Sequence, residues 1–135
     1  MIKDLKDLFV PYTQALELKE LGFDEPCFGR YYYKESYPML NPQSGQTELV
    51  FEFGQYLKHT EVTILAPTFS QCFRWFREEY HLLGCPQYFT GGYYCYTIND
   101  MKDTKESNRL FTEFSSFKEA EMACLEKLIE IVKTK

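Results

Sequence analysis

The spacing of apolar residues changes along the chain, and the order of these changes constrains the fold more than any other feature. Helical 3/4 spacing occurs over residues 11–21 and 68–83 and again after residue 116. Between these segments the pattern is that of strands, which pair antiparallel when short turns join them. The sequence therefore predicts an α+β fold in the order α-β-β-α-β-β-β-α, with an antiparallel sheet of about 4–5 strands and helices packed on one face. The predicted strands cover residues 27–33, 48–53, 88–90, 93–98 and 109–114.

Local signals set the ends of the first helix. Pro11 suits a first helical position, where its missing N–H costs nothing. Gly22 can adopt the left-handed conformation that ends a helix, and Phe23 can then fold back on Leu18.

Capping boxes predict where the other two helices begin. Thr68 is followed three residues later by Gln71, and Ser116 by Glu119. Gly84 is expected to end the second helix.

The sequence predicts some of the connections between strands more clearly than others. Gly91-Gly92 predicts a tight two-residue hairpin turn. Residues 34–46 contain several turn signals and predict a long exposed connection. Residues 55–65 are ambiguous, although Val62 and Ile64 favour a short additional strand.

The length of 135 residues suits a single domain spanning 1–135 with a real hydrophobic core. Aromatic residues are unusually frequent at 18%, with 11 Tyr and 12 Phe. This is more than a core of that size can hide, so we expect part of the surface to be rich in tyrosine.

Charge and cysteine usage narrow the class of partner. A formal net charge of −5 disfavours polyanions, so nucleic acid is an unlikely partner. No apolar stretch is long enough for a membrane span, and no secretory signal opens the chain. The five cysteines form no CxxC pair and are expected to be reduced thiols. These features predict a cytoplasmic protein.

The residues that could carry catalysis are few. His81 lies four residues before Cys85, which permits a nucleophile pair or two metal ligands, but two ligands do not complete a tetrahedral site. A histidine at the negative end of a helix dipole explains His81 equally well. Asp24-Glu25 could meet a cation or could simply form the turn before Pro26. No catalytic residue, metal or cofactor is therefore assigned, and the chain is more readily interpreted as a non-enzyme.

Tyrosines on predicted strands, with the tryptophan and arginines of the second helix, form the best candidate binding surface. Aromatic rings give a large contact area at small entropic cost, and arginines beside them could meet phosphate. Ordinary cross-strand packing and core formation are the competing interpretation. The candidate residues are Tyr31, Tyr33, Arg74, Trp75, Arg77, Tyr94 and Tyr96.

The order helix–strand–strand–strand–helix from Thr68 onward resembles the double-stranded-RNA-binding domain. Residues 116–121 are also similar to the start of that family's last helix, where the RNA contact depends on clustered lysines. Here only Lys118 remains, between Glu119 and Glu121. The resemblance thus implies a layout and not RNA binding.

A second resemblance covers most of the chain. Residues 10–12, 18–27, 66–67, 73–78 and 119–133 resemble small, functionally uncharacterised proteins of bacteriophages and of prophages in Bacteroidetes genomes. The resemblance implies a phage setting, in the cytoplasm of a bacterial host cell, and no particular activity.

Two main hypotheses of function follow. The first is a non-catalytic phage-associated module that binds a protein partner or itself through its aromatic surface. The second is a protein that binds or sequesters a small ligand such as a nucleotide, with tyrosines on the base and Arg30, Arg74 or Arg77 on phosphate. An enzyme is the third possibility and would require His81, Cys85 or Asp24 to converge in one cleft.

Overall fold

A computed structural model describes residues 5–33, 47–56, 63–103 and 107–134, with side chains within 7–31, 64–103 and 113–134. A short 3-10 turn, Leu5–Leu8, precedes the regular elements. These elements are α1 (Tyr12–Glu20), β1 (Cys27–Tyr33), β2 (Thr47–Tyr56), β3 (Thr63–Ala66), α2 (Phe69–Tyr80), β4 (Leu82–Phe89), β5 (Tyr93–Asp100), β6 (Ser107–Phe114) and α3 (Phe117–Lys133).

The predicted α+β class with antiparallel pairing is confirmed. The described strands number six, and they lie in two three-stranded sheets of order β2-β1-β3 and β4-β5-β6 instead of in one sheet of 4–5 strands. The additional strand is β3, the short apolar segment that the sequence left ambiguous. Its pairing with β1 gives β1 a neighbour on each side and completes the first sheet.

The contacts within the chain define two compact units, Met1–Cys72 and Phe73–Lys135. The boundary falls inside α2, so this helix contributes residues to both units. The single domain spanning 1–135 stays a prediction.

In the first unit, α1 ends as its sequence predicts. Gly22 has a φ of 98°, and the N–H groups of Gly22 and Phe23 donate to the carbonyls of Lys19 and Leu18. This is the Schellman arrangement, and it turns the buried Phe23 back toward the helix. The helix packs on β3 with Ala15 and Leu18 completely buried.

The chain before α1 is tied to the segment between β3 and α2. Phe9 forms a bridge with Thr68, and the Val10 N–H donates to the Pro67 carbonyl at 2.9 Å. The Phe9 ring then lies over Gly29 of β1, so closely that a Cβ on this glycine would be 2.7 Å from the ring. Glycine is therefore required in β1 for the ring to reach the sheet.

In the second unit, β4 and β5 form the predicted hairpin with continuous pairing from Leu82–Asp100 to Phe89–Tyr93. The loop has three residues, 90–92, and not two. The Gly92 N–H donates to the Phe89 carbonyl at 3.0 Å, and Gly92 has a φ of 94°. A turn followed by one residue in the left-handed conformation is the usual form of a three-residue hairpin loop, and glycine suits that position.

The second helix is shorter than its apolar spacing predicts. It ends at Tyr80, and β4 begins at Leu82, so the expectation that Gly84 ends the helix is wrong. His81 takes the left-handed position instead, with a φ of 58°, and its carbonyl accepts a hydrogen bond from the Met101 N–H at 2.8 Å. Apolar residues of a strand that follows directly on a helix continue the helical pattern by chance, which explains the error.

Replacing His81 by glycine is expected to raise the free energy of unfolding by about 0.5–1 kcal/mol. A side chain at positive φ is strained, and glycine removes this strain at some cost in unfolded-state entropy. Chemical denaturation of wild type and His81→Gly measures the gain. Glu79→Gly, inside α2, is the matched control and should destabilise by about 1 kcal/mol. A loss of stability in His81→Gly would show that the imidazole itself holds the helix end.

The last helix packs across the second sheet, as the sequence predicts. Its first turn is capped, because the Ser116 Oγ accepts the Glu119 N–H at 3.2 Å. Near its middle it lies close to β4, where a Cβ on Gly84 would be 2.8 Å from Leu128 and 3.0 Å from Cys124. The role of Gly84 is thus close helix–sheet approach.

No helix within the described ranges is long and apolar enough to cross a bilayer.

Candidate functional site

Tyr31, the first of the predicted surface tyrosines, has a structural role within the first unit. Its hydroxyl donates to the Val10 carbonyl at 2.8 Å, and its ring meets that of Tyr12 edge-on at 5.5 Å. Burial raises the pKa of Tyr31 to about 12. The side chain of Tyr33 lies outside the described residues, and its backbone belongs to β1.

Removing the Tyr31 hydroxyl is expected to destabilise the protein by about 0.5–1.5 kcal/mol at neutral pH, the usual net value of one hydrogen bond. The pKa of Tyr31 is higher in the folded state than the ordinary value of 10.0. Its contribution to stability is therefore complete below about pH 10 and is lost as the pH rises toward about 12. Urea denaturation of wild type and Tyr31→Phe over this range measures both effects. An alkaline loss that persists unchanged in Tyr31→Phe would contradict the assignment.

The α2 candidates separate into a buried ring and exposed cations. Trp75 is 5% exposed and contacts Phe76 and Tyr80 edge-on at 5.1 and 5.3 Å. The Arg74 Nε donates to the Glu78 Oε1 at 3.0 Å in an exposed pair one helical turn apart. Arg77 is exposed. The helix therefore does not present the tryptophan for stacking on a ligand.

Tyr96 is buried beneath the last helix. It is 6% exposed and stacks on Phe114 with the ring centroids 6.1 Å apart. Desolvation raises its pKa, with smaller contributions from Cys124, Glu130 and Glu126. This tyrosine belongs to the core of the second unit.

Among the candidate tyrosines whose side chains the structure describes, Tyr94 is the one that belongs to a partly exposed group of rings. It meets Tyr88 of β4 at 5.3 Å with 70° between the ring planes, and Phe117 of α3 at 6.2 Å with 84°. Tyr88 is 60% exposed and Phe117 46% exposed, whereas Tyr94 is half-buried between them. We call Tyr88, Tyr94 and Phe117 the aromatic corner.

The fold fixes the aromatic corner from two directions. Tyr88 and Tyr94 are direct cross-strand partners, so their side chains share one face of the sheet. Gly84, four pairs further along β4, lies under α3, and alternation places Tyr88 on the same face. Phe117 is the first residue of α3, and the Ser116 cap sets its position. The corner is thus the place where the helix-covered core of the second unit reaches solvent.

Sequence reasoning missed two members of the aromatic corner. Tyr88 could have been found by extending the hairpin pairing outward from Gly91-Gly92, although the three-residue loop shifts that register. Phe117 has the helical spacing of the buried Ala120 and Cys124, yet it is 46% exposed. Its exposure at the first helical position depends on where the helix meets the sheet, and periodicity does not contain that information.

An acidic side chain follows the aromatic corner on the last helix. Glu121 comes four residues after Phe117 and three before the buried Cys124, so all three lie on one helical face. Glu121 is half-buried. Desolvation raises the pKa of its carboxyl group, and the neighbouring Lys118 partly offsets this. A carboxylate on the face that α3 turns to the sheet is unusual, because the ionised form loses hydration there.

The three candidate catalytic residues lie in different segments of the chain. His81 holds a backbone position at the end of α2, Cys85 is exposed on β4, and Asp24 lies in the other unit. Within the described residues, no three His, Cys, Asp or Glu side chains are grouped so as to hold a metal ion.

The other cysteines are buried, and burial raises the pKa of both Cys27 and Cys124 to about 12. Those two thiols stay protonated near neutral pH and are poor nucleophiles.

Comparison with known proteins adds no relative to this description. Searches against protein-family models, curated proteins and solved structures give no significant match.

Proposed function

We propose that this chain is a non-catalytic interaction module, associated with bacteriophage, that binds a protein partner through the aromatic corner. The observation that carries the proposal is the exposure of Tyr88 and Phe117 on both sides of the half-buried Tyr94. The phage setting rests on the sequence resemblance alone.

Rigid exposed rings are well suited to this role. Tyr88 and Phe117 are each in edge contact with Tyr94, so little side-chain freedom is lost when a partner covers them. Aromatic residues dominate the energetically important centres of protein interfaces. Phe28 and Met101 are also exposed apolar side chains. Among the described ring pairs, however, none includes Phe28.

The alternative of nucleotide binding has less support. It requires tyrosine and tryptophan faces near arginines, whereas Trp75 is buried, the Tyr31 hydroxyl is bonded to Val10, and Arg74 pairs with Glu78.

Site-specific photo-crosslinking tests the proposal. A benzophenone analogue of phenylalanine replaces Tyr88 in one variant and Phe28, the matched exposed ring of the first unit, in another. Both variants are expressed in a Bacteroidetes host and irradiated. We expect an adduct of one discrete size from position 88, none of that size from position 28, and loss of the adduct when Phe117 is also changed to serine.

Sedimentation velocity of the purified protein then separates self-association from binding of another protein. Absence of the adduct at position 88 together with a strictly monomeric protein would overturn the proposal. Equal labelling from positions 28 and 88 would also overturn it, because the labelling would then follow exposure alone.

A further inference from the structure

We propose that the aromatic corner binds a basic segment of its partner, with an arginine or lysine side chain placed against the ring faces and beside the Glu121 carboxylate. This inference rests on the proposed function and names the chemistry of the partner.

The angles between the rings present aromatic faces to a ligand. Tyr94 stands at 70° to Tyr88 and at 84° to Phe117, so neither neighbouring ring is stacked face to face on Tyr94. Ring faces carry the negative part of the aromatic quadrupole. A cation within about 6 Å of such a ring centroid is attracted to it. Perpendicular rings can therefore contact one cation from two sides.

Glu121 adds a full negative charge to this environment. Its position one helical turn after Phe117 places its Cβ about 5–6 Å from that of Phe117. Because the carboxylate is half-buried and its pKa is raised by desolvation, it gains more from a cationic partner than an exposed carboxylate does. Lys118, exposed beside Phe117, offsets part of this charge and is a competing cation.

The size of the patch favours a peptide segment over a second copy of the chain. With roughly 150–250 Å² per aromatic side chain, exposures of 60% and 46% leave roughly 200 Å² on Tyr88 and Phe117. A stable dimer usually buries about 800 Å² on each partner. The available area matches one or two side chains of an extended segment. The formal net charge of −5 favours a basic segment over an acidic one.

A pair of peptides of equal length and similar shape, which differ in charge, tests the inference on the intact protein. The probe is an acetylated, amidated peptide of alternating arginine and glycine, and its control replaces each arginine with the neutral isostere citrulline. Binding is followed through NMR shifts of the Tyr88, Tyr94 and Phe117 ring protons at constant ionic strength. We expect shifts with the arginine peptide and none with the citrulline peptide.

Three variants and one control variant assign the binding to ring faces and to Glu121. Tyr88→Phe keeps the ring and should retain the affinity, whereas Tyr88→Leu keeps an apolar side chain without the ring and should weaken binding about 2-fold to 30-fold. Glu121→Gln should weaken it about 2-fold to 5-fold. Phe28→Leu, which also replaces an exposed ring by leucine but in the first unit, should have no effect.

The outcomes separate this inference from the function on which it rests. Absence of binding, equal binding of both peptides, or unchanged affinity in Tyr88→Leu would overturn the inference. An adduct at position 88 in the photo-crosslinking experiment would then leave the interaction module standing, with an apolar partner in place of a basic one. Absence of the adduct together with absence of peptide binding would overturn both the inference and the proposed function.

Discussion

Replacing Leu128 by alanine is expected to lower the free energy of unfolding by about 2–5 kcal/mol. Leu128 is completely buried on the inner face of α3, and its Cδ1 lies where that helix approaches Gly84 of β4 most closely. Truncation removes the apolar contacts and leaves a cavity that the packed helix and sheet can fill only in part. Urea denaturation followed by circular dichroism measures the loss.

A double-mutant cycle with Gly84 makes the prediction specific to this contact. Gly84→Ala alone should cost about 1–3 kcal/mol, because its new Cβ would lie 2.8 Å from the Leu128 side chain. In the double variant the methyl group added at position 84 enters the space that Leu128 vacates, so the combined loss should be smaller than the sum of the single losses. Additive losses would mean that the two residues are not in contact. Glu126→Ala, on the exposed side of α3, is the surface control.

Gly29→Ala is expected to destabilise the first unit by about 1–3 kcal/mol, the usual cost of overpacking. The added Cβ would lie 2.7 Å from the Phe9 ring and 3.0 Å from the Ala66 carbonyl oxygen. The ring cannot withdraw easily, because the Phe9–Thr68 bridge and the bond from Val10 to Pro67 hold its backbone. Proteolytic sensitivity of residues 5–10, together with thermal unfolding, would detect the change.

Phe9→Leu provides the matched background for this test. A smaller side chain at position 9 relieves the contact with the new methyl group, so Gly29→Ala should cost less in that background than in wild type. An equal cost in both backgrounds would place the strain at Ala66, whose carbonyl is backbone and cannot rotate away.

The sequence predicted the fold class well, because local chemistry determined most of the elements. Gly22 ended α1, Ser116 began α3, and the glycines at 91 and 92 marked the hairpin, each through a backbone requirement that can be read from residue type. The errors occurred where tertiary contact decides. The strand β3 is only four residues long and has its place through pairing with β1, and β4 displaced the predicted end of α2.

At the candidate site, tertiary contact decides even more than it does for the helices and strands. Residue type alone makes Tyr31, Trp75 and Tyr96 suitable for a binding surface. In the structure, however, each of these side chains is buried or hydrogen-bonded. Of the candidate rings with described side chains, Tyr94 keeps a place at the surface, beside Tyr88 and Phe117. Composition indicated that some rings must remain exposed, but the choice among them depends on how far α3 covers its sheet.

Trp75 gives this protein an internal spectroscopic reporter. It is the single tryptophan of the chain, it is buried, and it belongs to the helix in which the two units meet along the sequence. Its fluorescence therefore follows events at α2, whereas far-ultraviolet circular dichroism averages over every helix and sheet. Coincident transitions by the two probes would show that both units unfold as one cooperative body, and separated transitions would show that they do not.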